Sequence, residues 1–282
     1  MNAPKLPPSA YLPLLRAALR EDLGAAGDLT TRFFVPKDRR VSARVVSREA
    51  GVVSGLEIAA AAFRACAPGA RVKLLVRDGA RVRPGQAVME VSGGRGLLTA
   101  ERTALNFLQR MSGVATLTRT YVDRVRGTRA KILDTRKTLP GWRALDKYAV
   151  VCGGGVNHRM GLYDAAMVKD NHWLGGRLAE GARLLRARHP RAALIIECDT
   201  LAQAEKALAL KPDVLLLDNM PPNILRAAIR RLRALAPRVQ LEISGGVNLK
   251  TVRTLAKLGP DRISIGRLTH SAPALDLGLD LA

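Results

Sequence analysis

The sequence predicts an α/β fold, and two observations predict it. Six short apolar runs in the second half each stop abruptly at a charged or glycine-rich cluster, and stretches of helical periodicity separate them. Buried parallel strands read as continuous apolar stretches rather than alternating ones. The runs are Lys131-Ile132-Leu133, Ala165-Ala166-Met167-Val168, Leu194-Ile195-Ile196, Leu215-Leu216-Leu217, Leu241-Glu242-Ile243 and Ile263-Ser264-Ile265. Their ends lie 21 to 35 residues apart, the spacing of strand-loop-helix units. An α/β barrel gathers the C-terminal ends of its strands on one rim, where catalytic groups collect. Six units fall short of the eight of a closed barrel, which leaves closure open.

From the N-terminus, prolines at 7, 8 and 13 interrupt any signal-type apolar core. Residues 11–23 carry apolar side chains at helical spacing and stop at Gly24. Asp28-Leu29-Thr30-Thr31 offers cap and turn chemistry. Short alternating runs between 41 and 92, among them 41–46 and 72–76, suggest strands, with an alanine-rich helix at 58–66 between them. The segment 78–88 resembles the hairpins of biotinyl and lipoyl carrier domains, but no lysine lies between Lys73 and Lys131, so it reads as a structural turn. Residues 100–111 form an amphipathic helix that opens a helical stretch to about 125, and 201–210, 224–235 and 249–258 have helical periodicity.

Composition narrows the function. The 282 residues allow one large or two smaller α/β domains, and 48% hydrophobic content supports a substantial core. Lys plus Arg number 46 against 24 Asp plus Glu, a formal charge of +22. Such a field attracts nucleic acid, acidic lipid or small anionic substrates. Many arginines, such as Arg183, Arg186, Arg188 and Arg191, or Arg226, Arg230, Arg231 and Arg233, fall on helix surfaces and read as a solvated face. Four Phe, four Tyr and two Trp leave little for base stacking, and neither zinc-finger spacing nor an aromatic RNA-binding signature occurs. Cys66, Cys152 and Cys198 stand far apart without a C-x-x-C pair, as reduced thiols of a cytoplasmic protein do. No run approaches the roughly 18 apolar residues of a membrane span.

Three kinds of group meet on the expected rim. Arg136, Lys137, Arg159 and Lys169, with His158, form a cationic cluster suited to a small polyanion. Glu197 and Asp218 each close an apolar strand; such acids suit magnesium held jointly with substrate oxygens, and the alternative is an internal bridge to arginine. Ser244-Gly245-Gly246 and Gly266-Arg267, with His270 beyond, fall after the last two strands, where barrels commonly hold a phosphate on backbone amides. Gly153-Gly154-Gly155 has neither P-loop nor dinucleotide-fold spacing and reads as a close-approach turn delivering His158 and Arg159.

Three blocks then resemble the quinolinate phosphoribosyltransferase family: Thr135-Arg136-Lys137-Thr138-Leu139-Pro140-Gly141, Gly153-Gly154-Gly155-Val156-Asn157-His158-Arg159-Met160-Gly161-Leu162, and Lys169-Asp170-Asn171-His172. Glu21-Asp22-Leu23-Gly24, Ala100-Glu101-Arg102-Thr103-Ala104-Leu105-Asn106 and Leu268-Thr269-His270-Ser271 resemble further family blocks, so the likeness runs in order along almost the whole chain. The resemblance implies an N-terminal α/β sandwich at 1–111, an incomplete α/β-barrel-like catalytic domain at 112–270, and residues 271–282 packing back on the sandwich. It also implies a homodimer with shared active sites, larger assembly being left open.

Under the resemblance Arg102 crosses that interface and joins Thr135, Arg136, Lys137, His158, Arg159 and Lys169 around quinolinate. Glu197 and Asp218 serve the ribose hydroxyls and magnesium of phosphoribosyl pyrophosphate, and Ser244, Gly245, Gly246, Gly266, Arg267 and His270 its 5'-phosphate. Lys137, Lys169, Glu197 and Asp218 are the expected catalytic residues. Arg267 departs from the small residue usual at its position, and Cys198 stands where an apolar residue is commoner. The implied reaction is phosphoribosyl transfer with decarboxylation in NAD synthesis. Its rivals are a paralogue with another acceptor, an aldolase using Lys137 or Lys169, and a basic nucleic-acid-binding module.

Overall fold

A computed structural model describes residues 5–173 and 176–282. The chain forms two compact units. The first comprises the chain to Thr120, Thr138–Gly155 and Arg267–Ala282; the second comprises Tyr121–Lys137 and Val156–Gly266.

In chain order the elements begin with α1 (Leu12–Leu23), α2 (Leu29–Phe34), β1 (Arg40–Ser47), β2 (Gly51–Val52), α3 (Leu56–Cys66), β3 (Arg71–Leu74), β4 (Arg81–Val82), β5 (Ala87–Gly94) and the long α4 (Gly96–Arg124). Then come β6 (Lys131–Leu133), α5 (Arg143–Cys152), β7 (Ala165–Val168), α6 (Asp170–Trp173), α7 (Leu178–Arg188) and β8 (Ala193–Cys198). The chain closes with α8 (Leu201–Ala207), β9 (Val214–Asp218), α9 (Pro222–Leu235), β10 (Gln240–Ser244), α10 (Val252–Ala256), β11 (Arg262–Ser264), α11 (Arg267–His270) and β12 (Leu277–Leu281). No helix among the described residues is long and apolar enough to cross a membrane.

The first unit is built on a four-stranded antiparallel sheet ordered β12-β1-β5-β3. Strand β1 alternates exposed and buried residues along its first half, the period-two signature of a sheet with one wet face. The Asp28 carboxylate caps α2 by accepting the Thr31 N–H at 2.9 Å, so the cap chemistry at 28–31 starts a helix. The 78–88 segment is no hairpin: β4 pairs with β2, and the Pro84-Gly85 turn carries the chain from that small ladder into the main sheet. Helix α5 was not expected from the sequence. It buries Leu145, Ala149, Val150 and Cys152 together with the charged Asp146 and Lys147. Arg110 and the Leu139 N–H satisfy the Asp146 carboxylate at 3.1 and 3.3 Å.

All six apolar runs of the second half are strands of one parallel sheet, ordered β6-β11-β10-β9-β8-β7. Strands β6 and β7 are its two edges, so the sheet is an open α/β array rather than a closed barrel. Between its strands, α9 shows why most of its arginines are bland: Leu225, Ala228, Ile229 and Leu232 form its buried stripe, leaving Arg226, Arg230 and Arg231 to the wet side. Arg233, expected with them, is instead half-buried and pairs with Asp261 and the Val239 carbonyl. Arg191 lies beyond the end of α7. The expected 249–258 helix is shorter, confined to Val252–Ala256.

Candidate active site

Every group of the site inside the second unit sits at or just beyond the C-terminal end of a parallel strand. Register sets the ends nearly level: Val168 faces Ile196, Glu197 faces Leu216, Asp218 faces Ser244 and Ser264 faces Leu133 across successive ladders. Because side chains alternate, residues two apart share a face. Ala165 and Met167, Ala193 and Ile195, and Val214 and Leu216 therefore pack together as an apolar floor. Continuing the same parity one step brings Lys169, Glu197 and Asp218 above it.

The space over this floor is a cavity of about 380 Å³, within the range of small-molecule sites. Its walls gather the cations Arg136, Lys137, Arg159 and Lys169, the acids Glu197 and Asp218, His158, and the hydroxyls of Thr135, Ser244 and Ser264; Met167 and Leu216 supply its base. Met167, Leu216 and Ser264 had not been expected from the sequence, although strand parity marks all three.

The 156–162 block reaches this wall by a short extension of the sheet. Val156 forms a parallel bridge with Leu133, its N–H bonding to the Ile132 carbonyl at 2.9 Å. His158 and Arg159 follow directly. The buried Asp134 accepts the His158 N–H at 2.8 Å, and the Arg159 guanidinium donates to the Ala165 carbonyl at 2.9 Å. In the first unit, Gly153 and Gly155 show the close approach expected of them: a Cβ on Gly153 would lie 2.5 Å from the Ala115 carbonyl, and one on Gly155 would lie 2.7 Å from a Val150 methyl.

Electrostatics favour an anion here. Burial lowers the Arg159 pKa, and neighbouring Arg136 lowers it further against the pull of Asp164 and Glu197. Lys169 Nζ donates to Glu197 Oε2 at 2.8 Å, so the bridge to Glu197 is made by lysine rather than arginine. Asp218 accepts from the Asn219 amide at 2.6 Å, and the Asn219 N–H reaches the Ser244 carbonyl at 3.0 Å. Asn219 itself occupies the left-handed region at φ 52°. Gly245, at φ 86°, passes so close that a Cβ would lie 2.1 Å from the Asn219 side-chain oxygen, so this turn admits only glycine.

Other expected residues fall outside the wall of this cavity. Gly245 and Gly246 continue from Ser244 without lining it, and Gly266 follows β11. Arg102 is exposed on α4 of the first unit, and Arg267 and His270 are exposed on α11, also of the first unit. A residue that sequence reasoning passed over is Glu242. Wholly buried on β10, it lies 3.3 Å from His158 Nε2 and 2.8 Å from Arg262 Nε.

An antiparallel-sheet unit joined in one chain to a parallel α/β unit, with opposed cations and carboxylates at its strand ends, defines an α/β enzyme of small anionic substrates. Residues 28–112 match the quinolinate phosphoribosyl transferase N-terminal domain and 114–280 the C-terminal domain of the same family. The chain is 47% identical to the nicotinate-nucleotide pyrophosphorylase [carboxylating] of Mycobacterium leprae, over 95% of each chain. It is 37% identical to a probable enzyme of that name from Synechocystis, over 98% of this chain and 94% of that one. The solved nicotinate-nucleotide pyrophosphorylase of Francisella tularensis superposes with a TM-score of 0.92 at 34% identity, covering 100% of this chain and 99% of that one. The chain belongs to the quinolinate phosphoribosyltransferase family.

Proposed function

We propose that this chain transfers the phosphoribosyl group of phosphoribosyl pyrophosphate to the nitrogen of quinolinate and releases carbon dioxide, giving nicotinate mononucleotide and pyrophosphate. The observation that carries this reading is the convergence of Arg136, Lys137, Arg159 and Lys169 with Glu197 and Asp218 around one cavity. Family membership supplies the substrate pair.

The chemistry needs no protein nucleophile. The pyridine nitrogen forms the new bond to the anomeric carbon as the bond to pyrophosphate breaks, and the protein's contribution is alignment and electrostatic stabilisation. Arg136 and Arg159 hold the diacid by fork contacts, with Arg102 joining from the second subunit of a homodimer; Lys137 and Lys169 face the carboxylate that is lost. Ribosylation leaves the ring nitrogen positive. The C2–carboxylate bond then breaks, its electron pair stays on the ring carbon beside that charge and takes a proton from water, and the C3 carboxylate remains bound.

Glu197 and Asp218 orient the ribose hydroxyls, and the turn from Ser244 to Gly246, with Gly266, Arg267 and His270, receives the 5'-phosphate. No group of three or more potential ligands occurs among the described residues. Two hard carboxylates at neighbouring strand ends fit magnesium, which takes few protein ligands and keeps water and phosphate oxygens. Bound there, the ion would neutralise charge on the departing pyrophosphate. The three free thiols suit a cytoplasmic setting.

The test is direct. Purified protein with quinolinate, phosphoribosyl pyrophosphate and magnesium yields nicotinate mononucleotide and carbon dioxide in equal amounts. Turnover of another acceptor with none of quinolinate would establish the paralogue reading instead, and steep salt-dependent duplex binding without turnover would establish the nucleic-acid one.

A further inference from the structure

Glu242 is a carboxylate with no solvent exposure, in the middle of a strand whose neighbours Leu241 and Ile243 are also buried. Burying an acid is costly unless it is paired, so its partners show what it does. One oxygen lies 3.3 Å from His158 Nε2 and the other 2.8 Å from Arg262 Nε. Strand parity puts Glu242 on the same face as Ser244, one layer below the cavity. It stays charged there: burial pushes the carboxyl up, and His158, Arg262 and Ser264 outweigh that and hold it below the ordinary carboxylate range.

The second nitrogen of His158 completes the arrangement. Nδ1 accepts the Arg159 backbone N–H at 2.7 Å, which requires a lone pair on Nδ1 and leaves the proton on Nε2, facing Glu242. The Arg159 N–H thereby holds the ring at Nδ1, and Nε2 faces the carboxylate at 3.3 Å. What the ring fixes in turn is the backbone of Arg159, whose guanidinium is tethered to the Ala165 carbonyl and lines the cavity. Removing the carboxylate takes away the acceptor that Nε2 faces and so weakens the preference for the tautomer that accepts from Arg159.

We propose that Glu242 is a positioning residue of the acceptor site: it touches no substrate, and it acts through His158 to hold Arg159 where a diacid is gripped. The proposal rests on the assignment of His158 and Arg159 to that site. It gives the buried charge a reason that packing alone does not, since an apolar side chain would fill the layer at less cost.

The test has two arms. In the first, the chain's four histidines are labelled with 15N in the intact wild-type protein, and the His158 ring is assigned by its loss in His158→Ala. The expected ring is protonated on Nε2 and bare on Nδ1; a ring protonated on Nδ1 overturns the proposal. In the second, Glu242→Gln lowers kcat/KM for quinolinate roughly 10- to 100-fold, the scale on which a misplaced binding group acts, while KM for phosphoribosyl pyrophosphate changes less than about twofold. Glu242→Asp, which keeps the charge, recovers part of the loss. The double variant with His158→Ala is no worse than His158→Ala alone.

Additive losses, or equal damage toward both substrates, would mark Glu242 as merely structural and refute the proposal. Should Glu242→Gln not fold, the wild-type tautomer and Glu242→Asp decide. The labelling arm needs no turnover, so an inactive wild type would sink the functional reading while the histidine result still judged the pair.

Discussion

Replacing Arg159 by alanine removes a cation of the cavity wall that the fold holds in place at both backbone and side chain. Its N–H is bonded to His158, and its guanidinium to the Ala165 carbonyl. A guanidinium carries five N–H donors, so the tether leaves the rest of the fork for a carboxylate. At about 4 Å and an effective dielectric near 20, one such charge pair is worth roughly 4 kcal/mol. Arg136, Lys137 and Lys169 remain in the variant and water fills the gap, which reduces the net loss to about 2–4 kcal/mol, the usual worth of a preorganised donor. Each 1.4 kcal/mol is about tenfold in rate. Steady-state assays varying quinolinate are therefore expected to show kcat/KM down roughly 30- to 700-fold, with KM for phosphoribosyl pyrophosphate little changed. Arg159→Lys keeps charge but not the fork, and falls between. A loss smaller than about threefold in the alanine variant would refute the assignment of Arg159 to the diacid.

Three further outcomes follow from the same account. Mixing Arg102→Ala chains with Glu197→Ala chains, each inactive alone, restores about a quarter of wild-type activity, because half the dimers are mixed and each has one intact site; absence of rescue denies the shared site. Burial pushes the Cys152 and Cys198 thiols up to about 12, so at pH 8 a chromogenic disulfide reagent reacts with at most Cys66 until the protein is unfolded. Asp261 accepts from Arg129, Arg233 and the Leu241 N–H, and Asp261→Ala lowers unfolding free energy in urea by about 2–4 kcal/mol at neutral pH. Burial pushes the Asp261 carboxyl up, but these donors hold it below its ordinary 3.8. Its stabilisation is therefore complete above that value, and the gap between variant and wild type closes as pH falls through the lower folded pKa.

The parallel sheet was legible because burial on both faces leaves an unbroken apolar run, and because functional loops collect polar residues where each run stops. Thr135 to Lys137, Lys169, Glu197, Asp218 and Ser244 could be placed on one rim from that grammar, and all of them line the cavity. Helix α5 was hidden by its own interior: Asp146 and Lys147 are buried, so the apolar stripe that announces a helix is interrupted by charges. Glu242 was hidden by the opposite effect, since a single acid between Leu241 and Ile243 reads as part of an apolar strand until a partner is seen. Open against closed sheet could not be read from six intervals, because edge strands β6 and β7 look no different in sequence from central ones.

The most direct measurement is a crystal structure of this protein with quinolinate and an unreactive phosphoribosyl pyrophosphate analogue both bound. The account predicts the two carboxylates of the acceptor among Arg136, Arg159 and Lys169, the ribose against Glu197 and Asp218, and the 5'-phosphate on the turn from Ser244 to Gly246. Density for the diacid away from Arg159, or for the phosphate away from that turn, would contradict it.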